Sequence, residues 1–395
     1  MDKLFAKSER IVQATSLTLE RYLSDEVDWN ERLIGLRGAR GTGKSTLMLQ
    51  YLKKQGQKNC LYVTLDDMYF TRNSLTDMAD EFYTLGGRLL FLDEVHKYPT
   101  WSTEIKNLYD FYPQLKIVFS SSSVLQIDKG EADLSRRAVK YTLHELSFRE
   151  YLALVHKQNF DVLSLSDILS HHVEIARDIA AKIVPVKLFH EYLIWGAYPF
   201  ISEGRKNYLT KLNRAVSQAI ENDIPAVEEI RYETVIKLKK LLMLLSASVP
   251  YKPNITELSE KVGTSRDNLL RFLQMLANAR LIQLLRQDGS PTSYLTKPEK
   301  IYLNNTSLMH CLNDNPPSAG ALRETFFMNQ LSQSHTINYS GAGDFMVDRK
   351  YTFEVGGQGK TAFQIKAVRN SYVVKDMLEV GTGNHIPLWL FGMMY

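Results

Sequence analysis

The sequence predicts an α/β fold with a parallel sheet at its centre. Three observations lead to this prediction. A glycine-rich segment at residues 38–45 lies between an apolar, strand-like run and a helix-like run. A second apolar run, Leu89–Leu92, leads directly into Asp93, and a third, Leu115–Phe119, leads into serines that begin at Ser120. Uninterrupted apolar runs are typical of parallel strands that are covered on both faces, and ligands bind at the carboxyl ends of such strands.

Length and composition restrict the kind of protein. The chain has 395 residues, which corresponds to about two or three domains. It carries 48 Lys and Arg against 44 Asp and Glu, a net charge of +4, with 44% hydrophobic and 23% charged residues. These values are close to those of average globular chains. They exclude a mainly disordered protein, a collagen-like fibre and an acidic tail protein.

Three further features favour a cytoplasmic protein with no membrane partner. The longest apolar stretch, Leu241–Val249, is far shorter than the roughly 20 residues that cross a bilayer. The N-terminal residues have neither the apolar run nor the small-residue cleavage site of a signal peptide. Two cysteines, Cys60 and Cys311, cannot by themselves form a disulfide framework or a zinc site. We therefore expect a reducing, cytoplasmic setting.

The glycine-rich segment matches a phosphate-binding loop. Gly38–Ser45 fits the pattern G-x-x-x-x-G-K-[ST], between a predicted strand at Arg32–Arg37 and a predicted helix at Thr46–Lys54. Its glycines let backbone N–H groups close around a phosphate chain, and the helix N-terminus adds a positive dipole end. We expect Lys44 to reach the β- and γ-phosphates and the Ser45 hydroxyl to ligate Mg²⁺. The predicted nucleotide-binding residues are Gly38, Ala39, Arg40, Gly41, Thr42, Gly43, Lys44, Ser45 and Thr46.

An acidic pair and a serine complete the predicted nucleotide site. Asp93 emerges at the end of its apolar run, where it can hold Mg²⁺ through water, and Glu94 is placed to orient or deprotonate the attacking water. Ser120, at the end of the third run, can hydrogen-bond the γ-phosphate or that water. A polar turn or a helix N-cap explains Ser120 equally well. The predicted catalytic residues are thus Lys44, Glu94 and Ser120, and the predicted metal ligands are Ser45 and Asp93.

Motifs along most of the chain resemble those of a known family. They are GARGTGKST, RLLFLDEVHKYPTW, IVFSSSSVLQ, SRRAVKYTLHELSFREYL, YLIWGAYP and FEVGGQGKTAFQIK. Together they resemble the AAA+-type P-loop ATPases of bacteria and archaea that carry a C-terminal domain of unknown function, DUF4143. The resemblance implies an ATPase core that uses ATP, a winged-helix segment and a C-terminal domain similar to the PD-(D/E)xK nuclease fold.

The resemblance also implies an arginine that completes the ATPase site. In such proteins an arginine follows the sensor strand at the position of Arg137, where it can stabilise transition-state charge in cis or across a subunit interface. The family tends to have glycine before that arginine, whereas this chain has Arg136. Either arginine can therefore fill this role, and a solvated basic pair on a loop is the alternative. An arginine that acts across an interface would require an oligomer.

The chain beyond the core divides into further predicted domains. We predict an ATPase core at 1–150, a helical lid at 151–230, a winged helix at 231–299 and a small α+β restriction-endonuclease-like domain at 300–395. Within the third of these, residues 231–286 hold ten Lys and Arg against four Asp and Glu. Local basic charge of this kind suits a module that faces nucleic acid.

A helix-turn-helix pattern lies in this basic stretch. Ile255–Val262 and Ser265–Leu276 predict two helices, and Leu281–Arg286 with Tyr294–Leu295 predict two wing strands. The side chains expected to contact DNA are Ser265, Arg266, Asn268 and Arg271. Winged helices in ATPases also serve as packing modules, so DNA contact and a purely structural role both stay open.

The C-terminal segment carries an incomplete nuclease pattern. A metal-dependent nuclease needs clustered carboxylates for Mg²⁺ and a lysine that assists the water. Asp344 and Glu354 fall on a predicted hairpin, but the family's E-x-K motif reads E-V-G from Glu354. Lys360 or Lys366 could supply the missing ammonium. We expect an inactive fold that serves as a binding or interaction platform.

Three functions are compatible with these patterns. The first, which we prefer, is a Mg²⁺-dependent ATPase whose nucleotide cycle drives or gates action on DNA. The second is a nucleotide-switched protein-interaction module with an inactive nuclease-like domain, and the third is an ATP-gated nuclease. They predict DNA-stimulated turnover, slow turnover indifferent to DNA, and metal-dependent cutting, respectively.

Overall fold

The computed structural model describes residues 1–56, 59–121, 134, 136–289 and 296–395. The chain forms two compact units. The first unit contains Met1–His144 and Gln218–Ile230, and the second contains Glu145–Ser217 and Arg231–Tyr395. The chain therefore leaves the first unit, returns to it for one short segment and leaves it again. No helix in the described ranges has the length and apolar character that a bilayer-spanning segment needs.

The first unit is built on a five-stranded parallel sheet. Its strands are β1 Leu33–Arg37, β2 Cys60–Thr64, β3 Leu89–Asp93, β4 Lys116–Ser121 and β5 Val139–Thr142. Their spatial order is β2-β3-β4-β1-β5. The register places Leu36 beside Ser120 and Leu92 beside Phe119, so β1, β3 and β4 end at one edge of the sheet. The α/β fold class with a parallel core is confirmed.

Both faces of this sheet are buried. Leu90 and Leu92 of β3 enter one apolar cluster, whereas Phe91 and the neighbouring Val118 of β4 enter another. The described part of the first 144 residues contains the α-helices α1 Asp2–Ala14, α2 Leu23–Glu26, α3 Lys44–Lys54, α4 Leu75–Thr84 and α5 Trp101–Phe111. Burial on two faces explains why β3 and β4 contain the unbroken apolar runs Leu89–Leu92 and Ile117–Phe119 instead of alternating apolar and polar residues.

Helix α3 begins where the phosphate-binding loop ends. Gly43 precedes its first residue and has a φ of 99°, a left-handed conformation that favours glycine. Leu47, Met48 and Leu52 are buried on the inner side of the helix, and each such side chain stabilises the fold by about 1.5–3 kcal/mol. Packing of the helix body therefore fixes the position of its N-terminal N–H groups.

The chain between residues 145 and 218, all of it described, forms four helices. They are α6 Phe148–His156, α7 Leu165–Ala180, α8 Pro185–Trp195 and α9 Tyr208–Gln218. Ser147 begins α6 with a capping box, because its hydroxyl accepts from the Glu150 N–H and the Glu150 carboxylate accepts from the Ser147 N–H. Phe148 packs edge-to-face against Phe189 of α8, which joins these two helices.

The segment that returns to the first unit is a π-helical turn, Ala219–Asp223, followed by α10, Ile224–Glu228. Asp223 and Ile224 are buried. Turns of this kind are rare, and a large share of those that do occur lie at functional sites. The predicted helical lid, 151–230, is therefore divided between the units, because residues 218–230 belong to the first.

The described part of 231–303 contains three helices and an antiparallel pair of strands. They are α11 Tyr232–Ser246, α12 Ile255–Val262, α13 Arg266–Asn278, β6 Ile282–Leu285 and β7 Lys300–Leu303. β6 pairs with β7. The predicted wing strand Tyr294–Leu295 lies outside the described residues, and β7 begins one residue beyond the predicted boundary at 299.

The rest of the second unit combines two helices with a mixed sheet. The elements are α14 Thr306–Leu312, α15 Ala319–Leu331, β8 Ile337–Tyr339, β9 Phe345–Val347, β10 Tyr351–Gly356, β11 Ser371–Lys375 and β12 His385–Pro387. The strand order is β12-β11-β10-β9-β8. Phe327 of α15 packs against Phe345 and Phe353, so the helix lies on this small sheet.

Candidate functional site

The phosphate-binding loop surrounds the amino group of its own lysine. Lys44 is 5% exposed, and its Nζ donates to the carbonyl oxygens of Gly38 at 2.9 Å and Ala39 at 3.0 Å. Burial lowers the pKa of Lys44, although Glu94 and Asp93 act in the opposite direction. The ammonium lies at the N-terminus of α3, where a helix favours anions. The sequence predicts nucleotide phosphates at this place.

Buried contacts fix the shape of the loop. A Cβ on Gly38 would lie 2.2 Å from the Leu143 carbonyl oxygen, so only glycine fits there. The buried guanidinium of Arg21 donates to the carbonyl oxygen of Thr42 and, at 2.7 Å, to that of His144. Arg21 lies outside the motif, and nothing in the residues around it indicates this role.

The carboxylate of Asp93 lies between two hydroxyl groups at the end of β3. Tyr62 donates to its Oδ2 at 2.6 Å, and Ser120 donates to its Oδ1. The Ser45 side chain lies near the same Tyr62 phenol, so Tyr62 neighbours both predicted metal ligands. Burial and the Asp93 charge raise the pKa of Tyr62, which therefore stays a hydrogen-bond donor. Tyr62 belongs to no motif, and only the pairing of β2 with β3 brings it here.

The surroundings of Asp93 suit a divalent cation. Asp93 is 3% exposed, and no basic side chain among the described residues lies within 4.0 Å of its carboxylate. A buried carboxylate without a close counter-charge is costly, and hydroxyl and carboxylate oxygens are ligands that Mg²⁺ prefers. Ser45 and Asp93 would therefore hold Mg²⁺, which neutralises phosphate charge when it is bound.

Glu94, the residue after β3, has a left-handed backbone. Its φ of 52° and ψ of 41° cost a non-glycine residue about 1–2 kcal/mol. Its N–H donates to the Ser120 hydroxyl at 3.3 Å. Its Oε2 lies 3.5 Å from Arg40 Nη2 and 3.4 Å from His96 Nε2. Strain of this kind clusters at functional sites, which agrees with the predicted role of Glu94.

A buried aspartate from the returning segment joins the site. Asp223 is 3% exposed, and Arg40 donates to it through Nε at 3.3 Å and Nη2 at 3.2 Å. His96 Nε2 and Lys97 Nζ each lie 3.5 Å from its Oδ1. Burial opposes the charge of Asp223, but hydrogen bonds from His96 and Arg40 outweigh it and hold the pKa of this carboxyl well below its usual range. The sequence does not indicate this contact, because Asp223 and Arg40 are 183 residues apart.

Arg137, the predicted arginine finger, forms an ion pair with Asp110. Its Nε and Nη2 each lie 2.9 Å from a carboxylate oxygen of Asp110, which is a planar, bidentate arrangement. Arg136 is exposed. Most of the chain between Ser121 and Arg136 lies outside the described residues. The arginine finger therefore stays a prediction for either residue.

The beginning of α13 presents polar side chains to solvent. Ser265 caps the helix by accepting from the Asn268 N–H. The four predicted DNA-contact residues, Ser265, Arg266, Asn268 and Arg271, are all exposed. The side chains predicted for the opposite face are buried; they are Leu269, Phe272, Leu273 and Leu276. The helix thus packs through one side and leaves the other accessible.

In the second unit, the predicted nuclease residues lie among lysines. Lys300 Nζ lies 3.0 Å from Glu324 Oε2 and 3.5 Å from Asp344 Oδ1, and Lys360 pairs with Glu354. Burial raises the pKa of Glu354; Lys360 opposes this effect and Asp344 adds to it. Sequence analysis does not identify Lys300, because it lies on β7, outside the motif.

This charge cluster does not fit the divalent cation that a nuclease needs. The Lys300 ammonium contacts Glu324 and Asp344, two of the carboxylates that would have to bind the metal. In the part of the chain that the structure describes, no group of three His, Cys, Asp or Glu side chains is placed to hold a metal ion. Lysines therefore supply the positive charge that Mg²⁺ would otherwise provide.

Comparison with protein families agrees with the geometry of the first unit. Residues 30–152 match the family model described as an AAA domain. The chain carries an AAA-type nucleotide-binding domain. Residues 186–319 match a second model, described as a domain of unknown function, DUF8612. Neither model is DUF4143, so the resemblance of the C-terminal region to that family stays a prediction.

Relatives of similar sequence include an archaeal and a bacterial protein. An uncharacterized protein of Methanocaldococcus jannaschii is 26% identical over 298 residues, which are 72% of this chain and 62% of that protein. The chain thus spans less than two thirds of the length of that relative. An uncharacterized protein of Haemophilus influenzae is 24% identical over 347 residues, which are 82% of this chain and 80% of that protein.

Similar solved structures share little sequence with this chain. The ORC1 protein of Aeropyrum pernix, in complex with DNA, is 12% identical with a TM-score of 0.31 over 79% of this chain and 92% of that one. AMPPCP-bound DnaA from Aquifex aeolicus is 17% identical with a TM-score of 0.28 over 65% of this chain and 86% of that one. Both likenesses are distant.

We predict that Gly38→Ala weakens nucleotide binding. The added Cβ would clash with the Leu143 carbonyl oxygen, so the loop backbone must shift. Affinity for ADP, measured by isothermal titration calorimetry, should fall at least about tenfold, or 1.4 kcal/mol. Gly320→Ala is the matched control, because a Cβ there meets nothing within 4 Å, and its affinity should equal that of the wild type. An unchanged affinity in Gly38→Ala would show that the loop does not hold the phosphates.

Proposed function

We propose that this protein is a Mg²⁺-dependent ATP hydrolase whose nucleotide cycle drives or gates action on DNA. One observation carries the hydrolase part: the phosphate-binding loop, Asp93, Glu94 and Ser120 lie at the carboxyl ends of three adjacent parallel strands. A phosphate cradle, a metal site and a carboxylate beside them are the parts that transfer of a phosphoryl group to water requires.

Each side chain of this set has one role in the proposed reaction. Lys44 neutralises charge on the β- and γ-phosphates, and Ser45 and Asp93 hold the metal. Glu94 orients the attacking water or accepts its proton. Ser120 donates to Asp93 and accepts from the Glu94 N–H, so it links the metal-binding residue to the residue that acts on water. We assign it the role of a γ-phosphate sensor.

An arginine finger would add to this set from Arg136 or Arg137, which precede β5. Arg137 is bound to Asp110, so it would have to exchange that carboxylate for the γ-phosphate. Arg136 is exposed and would have no such exchange to make with Asp110. A finger that acts across an interface would make the active form an oligomer.

Action on DNA is proposed for the second unit. Residues 231–286 hold ten Lys and Arg against four Asp and Glu, and Arg266 and Arg271 are exposed on α13. Exposed arginines near the start of a helix can bind phosphates and reach base edges. Local charge and accessibility are the support for this part of the proposal.

We predict that the protein releases phosphate from ATP with Mg²⁺ and that DNA raises the rate several-fold. Lys44→Ala should lose nucleotide binding and turnover, because it removes the ammonium in the loop. Glu94→Gln should bind ATP like the wild type and lose at least about 10²-fold in kcat, as expected when a positioned base is removed. A phosphate-release assay with single- and double-stranded DNA, together with ATP-binding measurements, tests these expectations.

Two results of this assay would contradict the proposal at different points. An equal rate of ATP hydrolysis with and without DNA would contradict the proposed action on DNA and favour the nucleotide-switched interaction module. Turnover that persists in both Lys44→Ala and Glu94→Gln would place hydrolysis outside this site.

We predict that replacing Arg266 and Arg271 together by Ala weakens DNA binding and flattens its salt dependence. Each lost phosphate contact should lower the slope of log K against log salt by about 0.9. Fluorescence anisotropy at several salt concentrations measures this slope. The control replaces Arg214 and Arg369, which are also exposed, and removes the same charge elsewhere. Equal slopes in the two double variants would mean that α13 does not contact DNA.

The second candidate function, a nucleotide-switched interaction module, is favoured by the lysines in the second unit. Lys300 and Lys360 pair with the carboxylates of the nuclease-like cluster. We therefore predict no nicking of supercoiled plasmid with Mg²⁺ or Mn²⁺, with or without ATP. Nicking that disappears in Asp344→Ala and in Glu354→Ala would refute this prediction and support an ATP-gated nuclease.

A further inference from the structure

Among the described residues, two basic side chains contact the carboxylate of Glu94, and both also contact Asp223. Arg40 Nη2 lies 3.5 Å from Glu94 Oε2 and 3.2 Å from Asp223 Oδ1. His96 Nε2 lies 3.4 Å from Glu94 Oε2 and 3.5 Å from Asp223 Oδ1. Asp223 thus contacts both basic side chains that contact Glu94, the residue placed to act on water, and we call it the anchor of these two side chains.

Burial makes this anchor effective. The His96 side chain is fully buried, that of Asp223 is 4% exposed and that of Glu94 is 19% exposed. Charges that are removed from water interact more strongly, because the local dielectric is lower. Arg40 also binds Asp223 through two nitrogens, Nε and Nη2, which fixes the plane of its guanidinium.

We propose that Asp223 is a positioning residue for ATP hydrolysis, which holds Arg40 and His96 so that Glu94 keeps one orientation. This inference rests on the proposed ATPase function. Without the Asp223 charge, the Arg40 guanidinium is released to turn toward Glu94 as its remaining carboxylate partner. Glu94 then pairs with Arg40 instead of orienting water, so the chemical step slows while nucleotide binding, which depends on the loop backbone and Lys44, continues.

The position of Asp223 in the chain gives this contact a further consequence. Asp223 lies in the segment 218–230, which is preceded and followed in sequence by the second unit. The proposed hydrolysis site therefore includes a residue from a segment of the first unit that the chain reaches only after residues 145–217.

The test compares Asp223→Asn with wild type in steady-state ATP hydrolysis and in ADP binding. We expect kcat to fall about tenfold, a part of the roughly 10²–10⁴-fold that a general base contributes, with KM for ATP and Kd for ADP within about twofold. Asp223→Glu keeps the charge and should retain more of the wild-type kcat than Asp223→Asn. In an Arg40→Ala background, Asp223→Asn should cost less than it does alone, because both changes act through Glu94.

Asp376 provides a matched control. It is a buried aspartate of the second unit that pairs with Arg323 at 2.9 Å and His190 at 3.1 Å, so Asp376→Asn removes the same kind of charge from a similar setting. We expect its kcat to equal that of the wild type.

Four results would overturn the inference. They are an unchanged kcat in Asp223→Asn, a higher kcat, an equal loss in Asp376→Asn, or a KM and Kd that rise together with a lowered Tm. The last would mean that Asp223 only supports the fold. A wild-type protein that binds ADP but does not hydrolyse ATP would remove the proposed function and this inference with it, whereas an active wild type with an unaffected Asp223→Asn variant overturns the inference alone.

Discussion

The pairing of β4 with both β1 and β3 decides where the chemistry of the first unit lies. Parallel strands end at the same edge, and the order β2-β3-β4-β1-β5 makes β1, β4 and β3 neighbours. The loop after β1 surrounds Lys44, while Asp93 is the last residue of β3, Ser120 is the penultimate residue of β4, and these two residues share a hydrogen bond. No single segment contains the site. It exists because long-range strand pairing brings three short segments together.

The side chains that contact a buried carboxylate determine whether that carboxylate can bind a cation. Asp93 has hydroxyl partners, from Tyr62 and Ser120. Asp223 has Arg40 and further basic neighbours. Removing a charge from water is costly unless a partner compensates for it. Basic side chains compensate the charge of Asp223, whereas the charge of Asp93 can still be compensated by a cation. The carboxylates of the second unit that pair with Lys300 and Lys360 resemble Asp223 in this respect. They therefore differ from Asp93, which we propose as a metal ligand in the first unit.

The sequence predicts those parts of the site that depend on contiguous residues. The loop at 38–45 is predicted because its spacing follows from phosphate geometry, and Asp93 and Ser120 because each ends an apolar run. Parallel α/β architecture follows from the same runs. The left-handed backbone of Glu94 could not be predicted from the residue type, since glutamate rarely adopts this conformation.

Contacts between distant segments cannot be predicted from the sequence, because no local pattern marks the residues that form them. Asp223 follows Arg40 by 183 residues, and nothing in the residues around Asp223 indicates the segment against which it packs. Tyr62 and Arg21 are ordinary residues locally and gain their roles only through strand pairing and loop packing. The predicted lid, 151–230, includes residues 218–230, which the structure groups with the first unit, and helical periodicity alone does not show which unit buries a helix.

We propose that Ser45 and Asp93 bind Mg²⁺ together with the nucleotide. The most direct measurement is the Kd of a non-hydrolysable ATP analogue in Mg²⁺ and in EDTA, for wild type and for Asp93→Asn. We predict that Mg²⁺ tightens binding at least about tenfold, or 1.4 kcal/mol, in the wild type and has little effect in Asp93→Asn. Equal affinities with and without Mg²⁺ in the wild type, or an undiminished Mg²⁺ effect in Asp93→Asn, would contradict this account.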